Sequence, residues 1–441
     1  MLLVYVERLT NRLGYTLKLI FGDILGIDYS ITDDAESFVQ YSGHKLSYAK
    51  SRLSDEIFIY SKEILFETTI EDKDINVFET NGFPAFFRTY SQDSCVDFDI
   101  FAASFYLASR YEEYLPHIQD IHNRYRAEDS LAYKNGFLEK PIVNIWANHL
   151  KGLMLSVYPN IEFPNKKPFR YINTMDVDSA YSVLEKSWIR VSWGMVRDVF
   201  RGNFSELIYK LDVLRKKKPD PYDNFNYLFS LINKYNLKTA FFVLFGKYGR
   251  YDKNISPDNK RFQELVKSLC DYAKVGIHPS YSSLEDPDLV GEQIRKLRNV
   301  IHRPVFRNRF HYLRFSLPRS YRILIENKIT EEYSMGYSNA IGFRSGLCTD
   351  YNFYDLEYDY ETKLRIFPFA VMDVALKNGL GLDANASIEK LRRLIDEVVR
   401  VEGRFISLWH NESLSDRYEW QGWREVYEFM IEYASLGIKK N

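Results

Sequence analysis

From about residue 170 onward, short apolar runs alternate with longer stretches in which apolar residues recur every three or four positions. The runs FRYINTM (169–175), KTAFFVLFG (238–246), KVGIH (274–278), RPVFRNR (303–309) and RFISLWH (404–410) read as buried strands. Between them, NKRFQELVKSLCDYA (259–273), DLVGEQIRKLRNVI (288–301) and IEKLRRLIDEVVRVEG (388–403) carry a helical period. Alternation at this spacing predicts parallel strands with helices packed outside them, either as a (β/α) barrel or as an open doubly wound sheet. The first part of the chain has a different texture. EIFIY (56–60) and INVFET (75–80) read as strands, and DIFAASFYLASRYEEY (99–114) as a buried helix capped by Asp99. PNIEFPNKKPF (159–169), rich in Pro and Asn, reads as a linker. The expected organisation is therefore a smaller mixed α/β domain over residues 1–165 and a larger α/β domain over residues 166–441.

Chemistry collects where the predicted strands end. Asp176 and Asp178 follow the first of them, His278 closes KVGIH, Arg309 and His311 follow PVFRN, and His410 closes RFISLWH. The chain has eight histidines, and three of them fall at these ends. In parallel α/β barrels, the C-terminal strand ends converge on one face, so these side chains are expected to meet. Asp and His together suit Zn²⁺ or a similar divalent ion. A second carboxylate then serves as a base, and a separate His protonates a leaving group. No GxGxxG or GxxxxGK[ST] follows any predicted strand, which counts against a nucleotide site.

These residues resemble the NodB-type polysaccharide deacetylases, carbohydrate esterase family 4. TMDVDSA matches the spaced Asp-x-Asp form of that family's first motif, VGIHPSYSS supplies a first metal histidine, RFHY lies where an Arg-x-Pro-aromatic motif belongs, and SLWHNE matches the late Leu-x-His motif. The resemblance covers residues from about 170 to 440. It implies a distorted (β/α) barrel, a bound divalent metal (Zn²⁺ first, Co²⁺ or another ion as substitutes) and removal of acetyl groups from an N-acetylated sugar or polysaccharide. By the same resemblance, Asp176 is the catalytic base, Arg309 holds it, His410 is the general acid, and Asp178 and His278 bind metal. Two positions depart from the pattern. Ser282 stands where the second metal histidine belongs, and His311 replaces the Pro of the third motif. Either His311 supplies the missing ligand, or the site has lost its metal and the chain is a silent carbohydrate-binding protein. A hydrolase of a non-sugar linear amide is a further reading. FYLASRYEEYLP and EKPIVNIWANHL resemble the accessory N-terminal domain fused to a bacterial subgroup of such proteins, for which no activity follows.

Substrate contacts are expected from Tyr312, Trp409 and Arg344, the last within the glycine-rich YSMGYSNAIGFRSG (333–346). The long insertion around KKKPDPYDNFNYL (216–228) is either a wall of the substrate cleft or a surface excursion. Basic and acidic residues nearly cancel, 59 against 60, so neither nucleic acid nor an anionic membrane is an expected partner. With 34 Tyr and 31 Phe, the composition leans weakly toward a sugar ligand. Three scattered cysteines suggest neither a thiolate zinc site nor a disulfide framework. The start of the chain lacks the features of a secretion signal, and no apolar run reaches the roughly 18 residues of a membrane span. A cytoplasmic location is the expectation.

Overall fold

The computed structural model describes residues 1–440. The first sheet joins β1 (Leu2–Val6), β2 (Tyr29–Thr32), β3 (His44–Ala49) and β4 (Ile57–Tyr60), all parallel, in the order β2-β1-β3-β4. The apolar start of the chain is thus an inner strand, with Leu2, Val4 and Val6 fully buried. INVFET yields only β5 (Phe78–Thr80), which forms a hairpin with β6 (Phe83–Ala85). Asp99 caps the buried helix Ile100–Ala108, accepting from the backbone N–H of Ala102 at 2.9 Å.

A nine-stranded sheet follows, built from β7 (Arg170–Val177), β8 (Thr239–Leu244), β9 (Lys274–His278), β10 (Arg307–Asn308), β11 (Glu331–Glu332), β12 (Tyr351–Asp355), β13 (Tyr360–Ile366), β14 (Val371–Met372) and β15 (Arg404–His410). Its order is β12-β13-β11-β10-β9-β8-β7-β15-β14, and only the β12–β13 pairing is antiparallel. The segment between β13 and β14 bonds to both halves of this order. Phe367 N–H donates to Glu332 O and Phe369 N–H to Met335 O, while Ala370 N–H donates to Ile406 O beside β15. The helices Lys260–Tyr272, Asp288–Ile301 and Ala384–Arg400 bury one apolar face each against the strands. RPVFRNR shrinks to the two residues of β10, because Pro304 has no N–H to give a ladder and the chain turns sharply after Arg309.

One apolar core runs through both parts of the chain and includes residues from Leu2 to Ala434. Charged contacts join the parts as well: Arg12 with Asp359 at 2.8 Å, Arg365 with Asp23 at 2.9 Å and Arg344 with Glu113 at 2.6 Å. The segment between β7 and β8 folds into three helices, Trp188–Phe200, Phe204–Leu214 and Phe225–Tyr235.

Candidate metal centre

Strand register brings the predicted residues together. His410 of β15 lies directly beside Asp176 of β7 in the parallel ladder, so both point to the same face. His278 closes β9 two strands away from β7. Gly276 allows β9 to sit close between its neighbours, since a Cβ there would lie 2.7 Å from the Phe242 ring and 2.9 Å from Arg307 Cβ. Past β10, Arg309 N–H donates to Ile277 O and His311 N–H to Pro279 O, so the chain stays against the end of β9. That path lays the His311 ring beside the His278 ring, with centroids 5.0 Å apart.

Asp178, His278 and His311 offer one ligand atom each, and the three atoms lie within 4.8 Å of one another. His278 Nε2 is 3.3 Å from Asp178 Oδ1, and His311 Nε2 is 3.3 Å from Asp178 Oδ2. The far side of each ring shows what these contacts mean. His278 Nδ1 lies 2.6 Å from the carbonyl oxygen of Arg309, and His311 Nδ1 lies 2.8 Å from Asp252 Oδ1. Both partners are acceptors, so each Nδ1 donates to its partner and each ring turns its Nε2 toward Asp178. A bare Nε2 lone pair aimed at a carboxylate would repel it, so a proton or a cation has to lie between them. Asp178 Oδ1 is buried and makes no hydrogen bond. The pKa shifts follow the same demand for positive charge. Burial works against a charged imidazole, yet Asp178 and Asp252 push His311 up to about 9. Burial likewise works against the Asp178 carboxylate, but His311, His278 and His410 hold it well below the usual range. The donor set therefore fits a divalent metal ion.

The flanking groups are ordered around this point. Arg309, fully buried, donates from Nη1 to Asp176 Oδ1 at 2.8 Å and from Nε to Tyr333 O at 3.0 Å. His410 Nδ1 lies 2.9 Å from Asp373 Oδ1, and Asp373 is fixed in turn by the His410 N–H and by the Ser413 hydroxyl. Burial disfavours the imidazolium, but Asp373, with Asp178 and Asp176 behind it, raises the His410 pKa well above its ordinary value. A cavity of about 390 Å³ opens over these residues and is also lined by Tyr312, Met372, Leu408 and Glu412.

A family model described as a family of unknown function (DUF7033) matches residues 2–159. No curated protein matches the chain. Among solved structures, the chain is similar to a candidate polysaccharide deacetylase from Mycobacterium smegmatis, at 17% identity and a TM-score of 0.39, over 62% of this chain and 86% of the other. It is also similar to a CE4 family pseudoenzyme from Bacillus anthracis, at 14% identity and a TM-score of 0.29, over 63% of this chain and 61% of that one. A mutant of that pseudoenzyme with restored enzymatic activity matches at 14% identity and a TM-score of 0.26, over 63% of each chain. Such low identities and TM-scores leave the chemistry to be argued from the side chains themselves.

Three sequence expectations concerned substrate contacts. Tyr312 is in place: it lines the cavity, is 37% exposed and has a left-handed backbone with φ 60°. Trp409 does not reach the cavity. It alternates with His410 along β15, faces away from the site, and packs on Tyr427 and Trp423 with centroids 5.4 and 6.3 Å away. Arg344 is buried against Glu113, and its Nη1 donates to Gly336 O at 3.0 Å, so it has no guanidinium edge left for a ligand in this cavity. Ser282 sits exposed on a short 3₁₀ turn, away from the ligand atoms. The sequence reading missed Asp252, Asp373, Glu412, His122 and Arg124. The last two come from the first 165 residues and line the same cavity, with Arg124 Nη1 donating to Tyr312 O at 2.8 Å.

Proposed function

We propose that the chain is a metal-dependent hydrolase that removes acetyl groups from an N-acetylated carbohydrate. The convergence of Asp178, His278 and His311 carries this reading, because three ligands from three strand ends leave room for a reacting group. Residues 166–441 are read as a distorted (β/α) barrel closed through the segment Phe367–Ala370, and residues 1–165 as an accessory α/β unit that lends His122 and Arg124 to the cleft. A divalent ion held by the three ligands, Zn²⁺ or a substitute such as Co²⁺, supplies an acidified water and an electrophile for the acetyl carbonyl.

The chain's own groups do the rest. Asp176, oriented by Arg309, takes the proton of the attacking water. A backbone N–H at Tyr312 donates to the carbonyl oxygen as negative charge develops there. His410, kept protonated by Asp373, passes its proton to the departing amine. The Tyr312 ring, with Leu408 and Met372, offers an apolar face to the sugar. Asp176→Asn should lower acetate release from N-acetylated oligosaccharides by about 10²- to 10⁴-fold while leaving the metal content unchanged. Full activity in that variant would remove the base assignment. Wild-type protein that binds Zn²⁺ yet releases no acetate from sugar or linear amides would instead favour a silent carbohydrate binder.

A further inference from the structure

The helix Trp188–Phe200 is turned inside out. Its one buried residue is a carboxylate, Asp198, which pairs with Lys210 of the next helix at 2.5 Å. Its large apolar side chains face outward: Trp188 is 77% exposed, Trp193 71% and Phe200 86%. At 3.6 residues per turn, Trp188, Ile189, Trp193, Val196, Val199 and Phe200 fall on one arc of about 140°, interrupted only by Ser192. All six are exposed. Phe204 and Ile208 of the following helix, 59% and 57% exposed, extend this apolar surface. None of the described residues covers it. The helix borders a cavity of about 960 Å³, with Trp193 and Phe200 among its walls.

The charge around the apolar arc selects a partner. Residues 186–218 hold nine Lys and Arg against three Asp and Glu, within a chain whose net charge is −1. Arg197 and Arg201 border the arc on one side and are exposed, and Arg215 to Lys218 continue the basic run. A second copy of this chain is disfavoured, since two such faces would bring their positive charges together. Tryptophan and phenylalanine on one side of a helix with arginine at its border is the pattern of a helix lying in the plane of a lipid interface. We propose that the hairpin 188–214 docks the protein on an anionic phospholipid bilayer without crossing it. The helix begins ten residues after Asp178, so docking would hold the cleft near the lipid surface.

The full chain tests this directly. Of its six tryptophans, Trp146, Trp409, Trp420 and Trp423 are buried and only Trp188 and Trp193 are exposed, so tryptophan emission reports on the hairpin. Vesicles of phosphatidylglycerol and phosphatidylcholine should sediment the protein and shift its emission to shorter wavelength. Pure phosphatidylcholine vesicles, or 1 M salt, should weaken binding by at least about tenfold. Each of Arg197→Gln and Arg201→Gln should cost roughly fivefold. Trp193→Ser with Phe200→Ser, both at exposed positions, should abolish binding while leaving the melting temperature of the free protein unchanged. Absence of binding to anionic vesicles overturns the proposal. So does a stable dimer in sedimentation equilibrium that dissociates in the double variant, because a second copy would then cover the face.

Discussion

Two buried charge clusters in this molecule are built on opposite plans. Glu113 itself is fully paired. Its Oε1 accepts from Arg110 Nε at 2.6 Å and Arg344 Nε at 2.8 Å, and its Oε2 accepts from Arg344 Nη2 at 2.6 Å. Arg110 Nη1 reaches the Arg344 carbonyl, and Arg344 Nη1 reaches that of Gly336. Around Asp178, the nearest nitrogens are the Nε2 atoms of His278 and His311, each 3.3 Å away, and one carboxylate oxygen has no hydrogen bond at all. A buried carboxylate is costly unless paired and hydrogen-bonded. The first cluster is paired within the chain and fastens the first 165 residues to the large sheet. The second is poised for a partner from outside. Satisfaction of the buried charge, more than its presence, separates a structural ion cluster from a candidate site.

The sharpest way to break that contrast is to remove each carboxylate. Asp178→Ala should eliminate tight metal binding and lower acetate release by at least about 10³-fold, while costing the metal-free protein less stability than the loss of Glu113 does. Glu113→Ala strands two buried guanidinium groups and should cost about 3–5 kcal/mol of stability in denaturant titrations, with metal still bound by the folded fraction. If Asp178→Ala destabilises the metal-free protein as much as Glu113→Ala does, the distinction fails.

Acid unfolding should show the same contrast at about 3 kcal/mol. Burial opposes ionisation of Glu113, but Arg344 and Arg110 hold its pKa at about 2, against an ordinary 4.5. A depressed carboxylate pKa stabilises the folded state fully above pH 4.5, and that contribution is lost as pH falls from 4.5 to 2. Asp99 runs the other way. Burial pushes it up to about 6 from 3.8, so stability is lost as pH rises between those values. Denaturation midpoints across pH 2 to 7 should therefore show an acid limb that disappears in Glu113→Gln. Near the metal centre, His311 with a pKa of about 9 is protonated at neutral pH in the metal-free protein, so Zn²⁺ binding at pH 7 should release about one proton. Release measured with an indicator dye in weak buffer should shrink as pH passes 9.

Much of this site was readable before the fold was known, because parallel strands carry their C-terminal residues to a common face. Asp176, Asp178, His278, His311 and His410 needed only strand ends and order to be placed together. The sequence leaves open whether His311 replaces the histidine lacking at Ser282, and the structure brings His311 to Asp178 and His278. What stayed hidden had no local signal. Asp252 and Asp373 act through rings far away in sequence, 59 residues from His311 and 37 from His410. His122 and Arg124 enter the cleft from the first part of the chain, where His122 has no ligand spacing to mark it. Arg344 looked like a cleft residue among glycines, and its true partner, Glu113, is 231 residues away. Trp409 is different, since strand alternation excludes it from the face that His410 occupies, and period-two reasoning alone would have removed it.

The smallest expected effects separate the two aromatics once assigned the same task. Tyr312 is part-exposed over the cavity, and its backbone is held by Arg124, 188 residues earlier in the chain. Tyr312→Ala should raise KM for an acetylated oligosaccharide by roughly tenfold, the loss of one aromatic face on a sugar, with kcat changed much less. Trp409 is fully buried against Tyr427 and Trp423. Trp409→Phe leaves a cavity there and should cost about 1–2 kcal/mol of stability with KM unchanged at a temperature well below unfolding. A Trp409→Phe protein that keeps its melting temperature but loses substrate affinity would put that ring back in the cleft. The register that pairs His410 with Asp176 would then be wrong, since β15 cannot turn both residues to one face.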